Sequence, residues 1–189
     1  IQHPDRGKIR FDLYDYQENV IKAFQQHHLN IILKGRQIGM TTAIAGYALW
    51  LMLFHNDKSI LVIATKQESA KTLVKKVHIM HQNLPSWLRG KIVSDNKLSL
   101  QFKNGSEIKA VASSEDAARS ESLSLLIIDE CSHIDNIDTI WGASQAASSI
   151  GGNNVVLLST PNGVGNFFHK MWQGAEAGQS GPSGAYLVC

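Results

Sequence analysis

The chain has 189 residues, 43% of them apolar, with 18 Lys and Arg against 16 Asp and Glu. That excludes a disordered chain and gives length for one α/β domain with a full core, while a net charge of +2 leaves nucleic-acid binding without support from bulk charge. Two cysteines, Cys131 and Cys189, exclude a disulfide framework and point to a reducing compartment.

Along the chain, Asp15 to Gln26 is predicted helical, with Tyr16, Val20, Ile21 and Phe24 on one side. Asn30 to Leu33 is a short apolar strand. A glycine-containing loop and a helix from about Thr41 to Phe54 follow. The apolar run Ala43 to Phe54 is too short to span a bilayer and reads as a buried helix. No secretory signal begins the chain, so a soluble, intracellular protein is expected. Ser59 to Ala64 is a second buried strand, and Gln67 to Met80 a second crossover helix. Leu98 to Lys103 and Glu107 to Ala112 alternate apolar and polar residues around Asn104-Gly105, a hairpin signal. Leu125 to Ile128 and Val155 to Ser159 are two further buried strands. Continuous apolar runs alternating with helices predict an α/β fold whose mostly parallel sheet is covered on both faces, with an added β-hairpin. Residues 174–184 are rich in Gly, Ser and Ala and read as a linker or a poorly ordered end.

Charge is unevenly spread. Residues 66–109 carry nine Lys or Arg and three acids; beyond residue 110 two basic residues face eight acids. The basic stretch could attract phosphates, or its lysines could simply solvate a helix and a hairpin.

Lys34-Gly35-Arg36-Gln37-Ile38-Gly39-Met40-Thr41-Thr42 leaves a strand and opens a helix. That is the setting of a phosphate-binding loop, where helix N–H groups and the helix dipole attract an anion. Gly39 lets the backbone approach phosphates, and Thr41 stands where a hydroxyl ligates Mg²⁺. The pattern G-x-x-x-x-G-K-[ST] is broken twice. Lys34 occupies the first glycine position, and Met40 replaces the lysine. Lys34 and Arg36 are the candidate substitutes.

Leu125 to Glu130 is a buried strand ending in two carboxylates. In a nucleotide site Asp129 would hold Mg²⁺ and Glu130 would polarise the attacking water. His133 lacks companion ligands and reads as a structural or sensing residue. Cys131 reads as a small buried residue. The strand ending at Ser159 leads into Thr160, Pro161 and Asn162, a polar cluster suited to sensing a γ-phosphate, or an ordinary turn.

Together these segments resemble the large terminase subunits of tailed phages, over residues 13 to about 173. Leu13-Tyr14-Asp15-Tyr16-Gln17 looks like that family's adenine-binding motif, and the loop looks like its deviant phosphate loop. Ala112 to Arg119, Leu126 to Glu130 and Leu158 to Gly163 follow in the family's order. The resemblance implies a P-loop NTPase (RecA/ASCE-like) domain over residues 1–173, with residues 174–189 leading toward a nuclease domain absent from this chain. It implies an ATPase that uses ATP and Mg²⁺ to drive double-stranded viral DNA into a capsid. The nucleotide would be held by Tyr16, Gln17, Lys34, Gly35, Arg36, Gln37, Gly39, Met40, Thr41, Thr42, Ser159, Thr160 and Asn162. Glu130, Arg119 and Arg36 would act in catalysis, Arg119 in cis or in trans. Portal and small terminase subunit are the implied partners, within a ring-forming homo-oligomer in the host cytoplasm. A superfamily-2 helicase domain, sharing the Gln motif and the Asp-Glu pair, and a nucleotide-binding module without turnover are the competing readings.

Overall fold

The computed structural model describes residues 1–3, 7–113, 123–148, 154–177 and 185–188. A short antiparallel ribbon, β1 (Gln2–His3) and β2 (Gly7–Lys8), precedes helix α1 (Asp15–Gln26). Strand β3 (Leu29–Leu33), helix α2 (Met40–Phe54), strand β4 (Ser59–Ala64) and helix α3 (Gln67–Gln82) follow. A meander of β5 (Ile92–Asp95), β6 (Ser99–Phe102) and β7 (Glu107–Ala112) leads to β8 (Leu125–Asp129). Helix α4 (Ile137–Ser148), β9 (Asn154–Ser159), α5 (Phe167–Glu176) and β10 (Ala185–Val188) complete the described chain. Among the described residues, no helix is long and apolar enough to cross a membrane.

Eight strands form one sheet in the order β10-β3-β9-β8-β4-β7-β6-β5. The first six run parallel to one another; β6 pairs antiparallel with β7, and β5 antiparallel with β6. The continuous apolar runs of the central strands follow from this, because successive side chains enter opposite layers. Ile60, Val62 and Ala64 of β4 pack with α1, α2 and α3, whereas Leu61 and Ile63 pack on the other face with Ile137, Ile140, Phe167 and Phe168. α2 lies deepest. Its residues from Met40 to Met52 include eight buried side chains, so its sequence is apolar around most of its circumference.

The predicted hairpin is built into the sheet rather than added to it. β7 pairs antiparallel with β6 on one side and parallel with β4 on the other. Its turn closes the end of α2: Asn104 Nδ2 donates to the carbonyls of Met52 (2.8 Å) and His55 (3.0 Å), and Ser106 Oγ to that of His55 (2.8 Å). These bonds satisfy carbonyls that a helix end leaves open. Gly105 is required there. Its φ is +82°, and a Cβ would stand 2.0 Å from Asp57 Oδ1. The chain end departs from the predicted linker: α5 runs through Glu176, so residue 173 falls inside a helix, and β10 adds a parallel strand beside β3.

One consequence concerns acid stability. His81, buried at the end of α3, has Nε2 2.9 Å from the Gly90 carbonyl, while Nδ1 has no partner among the described residues. Burial pushes the imidazole pKa down, against the Gly90 bond; His78 and Arg89 add to the depression and Asp95 opposes it. The neutral ring is therefore favoured in the fold. Below the unfolded pKa of about 6.5 the unfolded chain takes up more protons, so His81 makes stability fall as pH drops from about 7 toward 5. His81→Gln, which keeps a donor for Gly90, is expected to flatten that slope in urea melts recorded across this range. An unchanged slope would contradict the assignment.

Candidate active site

The register aligns the C-terminal ends of four strands. Leu33 pairs with Ser159, Leu158 with Asp129, and Asp129 with Ala64. The residues that follow, Lys34, Thr160, Glu130 and Thr65, therefore emerge along one edge, where parallel α/β sheets bind ligands. Chain order brings β3 and β4 together only across β9 and β8, which supplies the crossover geometry of such a site.

The loop from Lys34 to Gly39 is anchored at both ends. Lys34 N–H donates to the Ser159 carbonyl (3.0 Å). At the far end the Ile38 carbonyl accepts from Tyr16 Oη (2.6 Å) and from Gln17 Nε2 (3.0 Å). Gln17 is fully buried, and its Oε1 accepts from Tyr14 N–H (3.1 Å), so its amide is oriented from both sides. Gln37 (φ 60°) and Gly39 (φ 76°) take left-handed conformations, which turn the loop into α2. A Cβ at Gly39 would stand 2.8 Å from Gln17 Nε2, so glycine is needed for space as well as for backbone. α2 starts at Met40 without a side-chain cap, leaving its first N–H groups directed at the loop.

A cleft of about 440 Å³ lies over this loop, lined by residues 37–42, Lys34, Gly35, Asp129 and Glu130, and by Ser69, Thr72 and Lys76 of α3. A second compartment of about 490 Å³ adjoins it through Lys34, Gln37 and Glu130, and adds Arg36, Thr65, His133 and Thr160. Lys34 and Glu130 stand between the two. Lys34 Nζ is 2.6 Å from Glu130 Oε1 and 3.6 Å from Asp129 Oδ1. Glu130 Oε2 accepts from Thr160 N–H (3.1 Å) and Thr160 Oγ1 (3.0 Å). Glu130 itself sits at φ 53°, a strained conformation for a residue with a Cβ, and its N–H donates to Asp129 Oδ1 (3.0 Å).

These contacts separate the two carboxyls electrostatically. Burial raises the Asp129 pKa, and the Glu130 charge adds to this; Lys34 only partly offsets them. Burial also resists ionisation of Glu130, but the bonds from Lys34 and Thr160 outweigh it and hold that carboxyl below its ordinary range.

Of the sequence-predicted residues, Lys34, Gly35, Arg36, Gln37, Gly39, Thr41, Thr42, Asp129, Glu130 and Thr160 line the cleft. Met40 contributes backbone only, since its side chain is buried in the core under α2. Tyr16 and Gln17 grip the loop through Ile38. Ser159 and Asn162 lie behind the cleft against Ser132: the Ser159 and Ser132 hydroxyls are 2.7 Å apart, and Asn162 Nδ2 donates to the Ser132 carbonyl (2.9 Å). Arg119 lies outside the described residues. His133 stands with Nδ1 3.8 Å from Glu130 Oε2 and 2.9 Å from Ser132 Oγ. Cys131 is buried, and burial followed by the Asp138 charge pushes its thiol to about 12, so it is no nucleophile at neutral pH. Lys76, absent from the sequence-predicted residues, also reaches the site: its Nζ donates to Thr42 Oγ1 (2.9 Å). Ser69, Thr72 and Lys76 recur at spacings of three and four on one face, but α3 also exposes Gln67, Glu68 and Lys75, so the string alone does not single that face out.

A glycine-turned loop entering a helix, facing an Asp-Glu pair across parallel strands, defines a P-loop NTPase fold. The chain belongs to the terminase large subunits: residues 31–185 match the family model "Terminase large subunit, T4likevirus-type, N-terminal". The fold is similar to the HK97 bacteriophage large terminase (TM-score 0.73, 22% identity, 98% of this chain and 40% of that one). It is also similar to the large terminase ATPase domain of Thermus phage P74-26 (TM-score 0.69, 19% identity, 94% and 81%). A large terminase of another thermophilic bacteriophage, solved with ATP-γ-S, is similar at TM-score 0.70 and 13% identity, over 94% of this chain and 44% of that one. The chain thus spans less than half the length of the HK97 protein.

Proposed function

We propose that this domain binds ATP with Mg²⁺ in the cleft and hydrolyses it to power packaging of double-stranded DNA. The observation that carries this is Glu130, held ionised between Lys34 and Thr160 at the mouth of a phosphate loop. Family membership favours this over a helicase domain. Thr41 and Asp129 would hold the metal: both offer hard oxygen donors on the same cleft, the chemistry Mg²⁺ prefers. When bound, the ion offsets charge on the phosphates.

The loop N–H groups and Lys34 bind and orient the triphosphate. Arg36 lines the outer compartment, where it can stabilise charge on the terminal phosphate. Glu130 orients a water and accepts its proton as oxygen attacks the terminal phosphorus. The bond to the ADP oxygen breaks, and ADP and inorganic phosphate leave. Because Glu130 Oε2 also holds Thr160, its movement is transmitted to the turn after β9 and through Ser132 to the segment following β8. That linkage is the proposed route from hydrolysis to DNA movement. Adenine contact by the stacked, exposed Tyr14 and Tyr16, an Arg119 finger, and assembly as a ring with portal and small subunit in the host cytoplasm complete the proposal.

Calorimetric titration of the chain with ATP-γ-S, with and without Mg²⁺, tests it. Saturable 1:1 binding, tightened by Mg²⁺, is expected. No binding in either condition would overturn the reading.

A further inference from the structure

We infer that Lys76 of α3 supplies the phosphate-facing charge that the loop lacks at Met40, a role that rests on the nucleotide reading above. Met40 is turned into the core, so position 40 offers the ligand only backbone. Lys34, the other lysine at the loop, already shares its charge between Asp129 and Glu130. With both acids ionised these three groups sum to one negative charge, which repels a polyphosphate rather than attracting it.

Lys76 offsets that negative charge. The Ser69, Thr72 and Lys76 face of α3 lines the same cleft as Thr41 and Thr42. Lys76 Nζ reaches across to Thr42 Oγ1 at 2.9 Å, a neutral partner, and no carboxylate among the described residues pairs with it. An ammonium has three N–H donors, so two remain for an anion beside Thr42. Burial also depresses the Lys76 pKa, so the charge is held at a cost that a bound phosphate would relieve. The lysine of an ordinary phosphate loop comes from the loop itself; here it comes from the next helix, through the gap between α2 and α3.

The test is titration of the chain with ATP-γ-S and, separately, with adenosine. Lys76→Met is expected to weaken ATP-γ-S binding by about ten- to a hundredfold, the effect of losing a charge-assisted hydrogen bond. Adenosine binding should not change. Lys76→Gln keeps a donor for Thr42 without the charge, and should lose as much; Lys76→Arg should stay within about threefold of wild type. Lys75→Met, at the exposed neighbour, controls for net charge and should bind normally. Thermal melts establish that each variant folds; should Lys76→Met not, Lys76→Gln carries the reading. Wild-type affinity in a folded Lys76→Gln chain, or an equal loss for adenosine, would overturn this inference alone. Failure of the wild-type chain to bind ATP-γ-S would overturn the nucleotide reading itself.

Discussion

Glu130→Gln is expected to bind ATP within about threefold of wild type and to lower turnover by about 10²- to 10⁴-fold, the usual contribution of a positioned general base. Gln fills the same space and keeps one oxygen to accept from Lys34 or Thr160, so the cleft should retain its shape. What it loses is the negative charge. Glu130 is ionised at neutral pH because the bonds from Lys34 and Thr160 outweigh its burial, whereas Asp129 is pushed the opposite way by burial and by Glu130 itself. Two adjacent carboxyls with divergent environments are suited to separate roles, one orienting water and one facing the metal. Single-turnover phosphate release in the assembled motor is the measurement. Wild-type turnover there would remove Glu130 from the chemistry.

Much of this site was legible because its pieces are local. The boundaries of α1 and β4 follow directly from apolar periodicity, and the phosphate loop and the Asp-Glu pair are contiguous strings at strand ends. What escaped depends on contacts between distant segments. Gln17 reads as a ligand-binding residue, yet its amide is committed to Tyr14 and Ile38, which only the docking of α1 on the loop reveals. Lys76 sits in a lysine-rich stretch whose other members, such as Lys75, face solvent, so nothing in the string separates it from a solvated helix face. β7 carries the alternation of a half-exposed hairpin because β6 is antiparallel to it, and that pattern hides its parallel pairing with β4. α4 shows no clear apolar periodicity in the sequence, because Gly142 and Ser144 interrupt a stripe anchored by Ile137, Ile140 and Trp141. β10 follows a Gly- and Ser-rich stretch whose composition says linker, yet the chain returns to an open sheet edge beside β3.

Lys34→Met should have the second large effect, and on two observables. Turnover should fall by at least about 10²-fold, because a preorganised cation beside the reacting phosphate is lost. Stability should fall as well, since Lys34 and Asp129 side chains are each only 10% exposed and removal leaves two neighbouring acids without their cation. Breaking a buried ion pair costs about 3–5 kcal/mol when the remaining charge stays trapped. Two features lower that here. The Glu130 side chain is 31% exposed, so water screens part of its charge. Burial raises the Asp129 pKa, so without Lys34 that carboxyl takes up a proton more readily than an exposed one and need not remain an unpaired anion. A loss of about 2 kcal/mol in urea denaturation is therefore expected. Combining Lys34→Met with Glu130→Gln removes both ends of the 2.6 Å contact, so the double variant should be more stable than the sum of the single losses implies, by about 1 kcal/mol. Strictly additive losses would mean that the Lys34 side chain stabilises the site through the packing of its aliphatic stem, and that the charge pairing across the cleft contributes nothing to the fold.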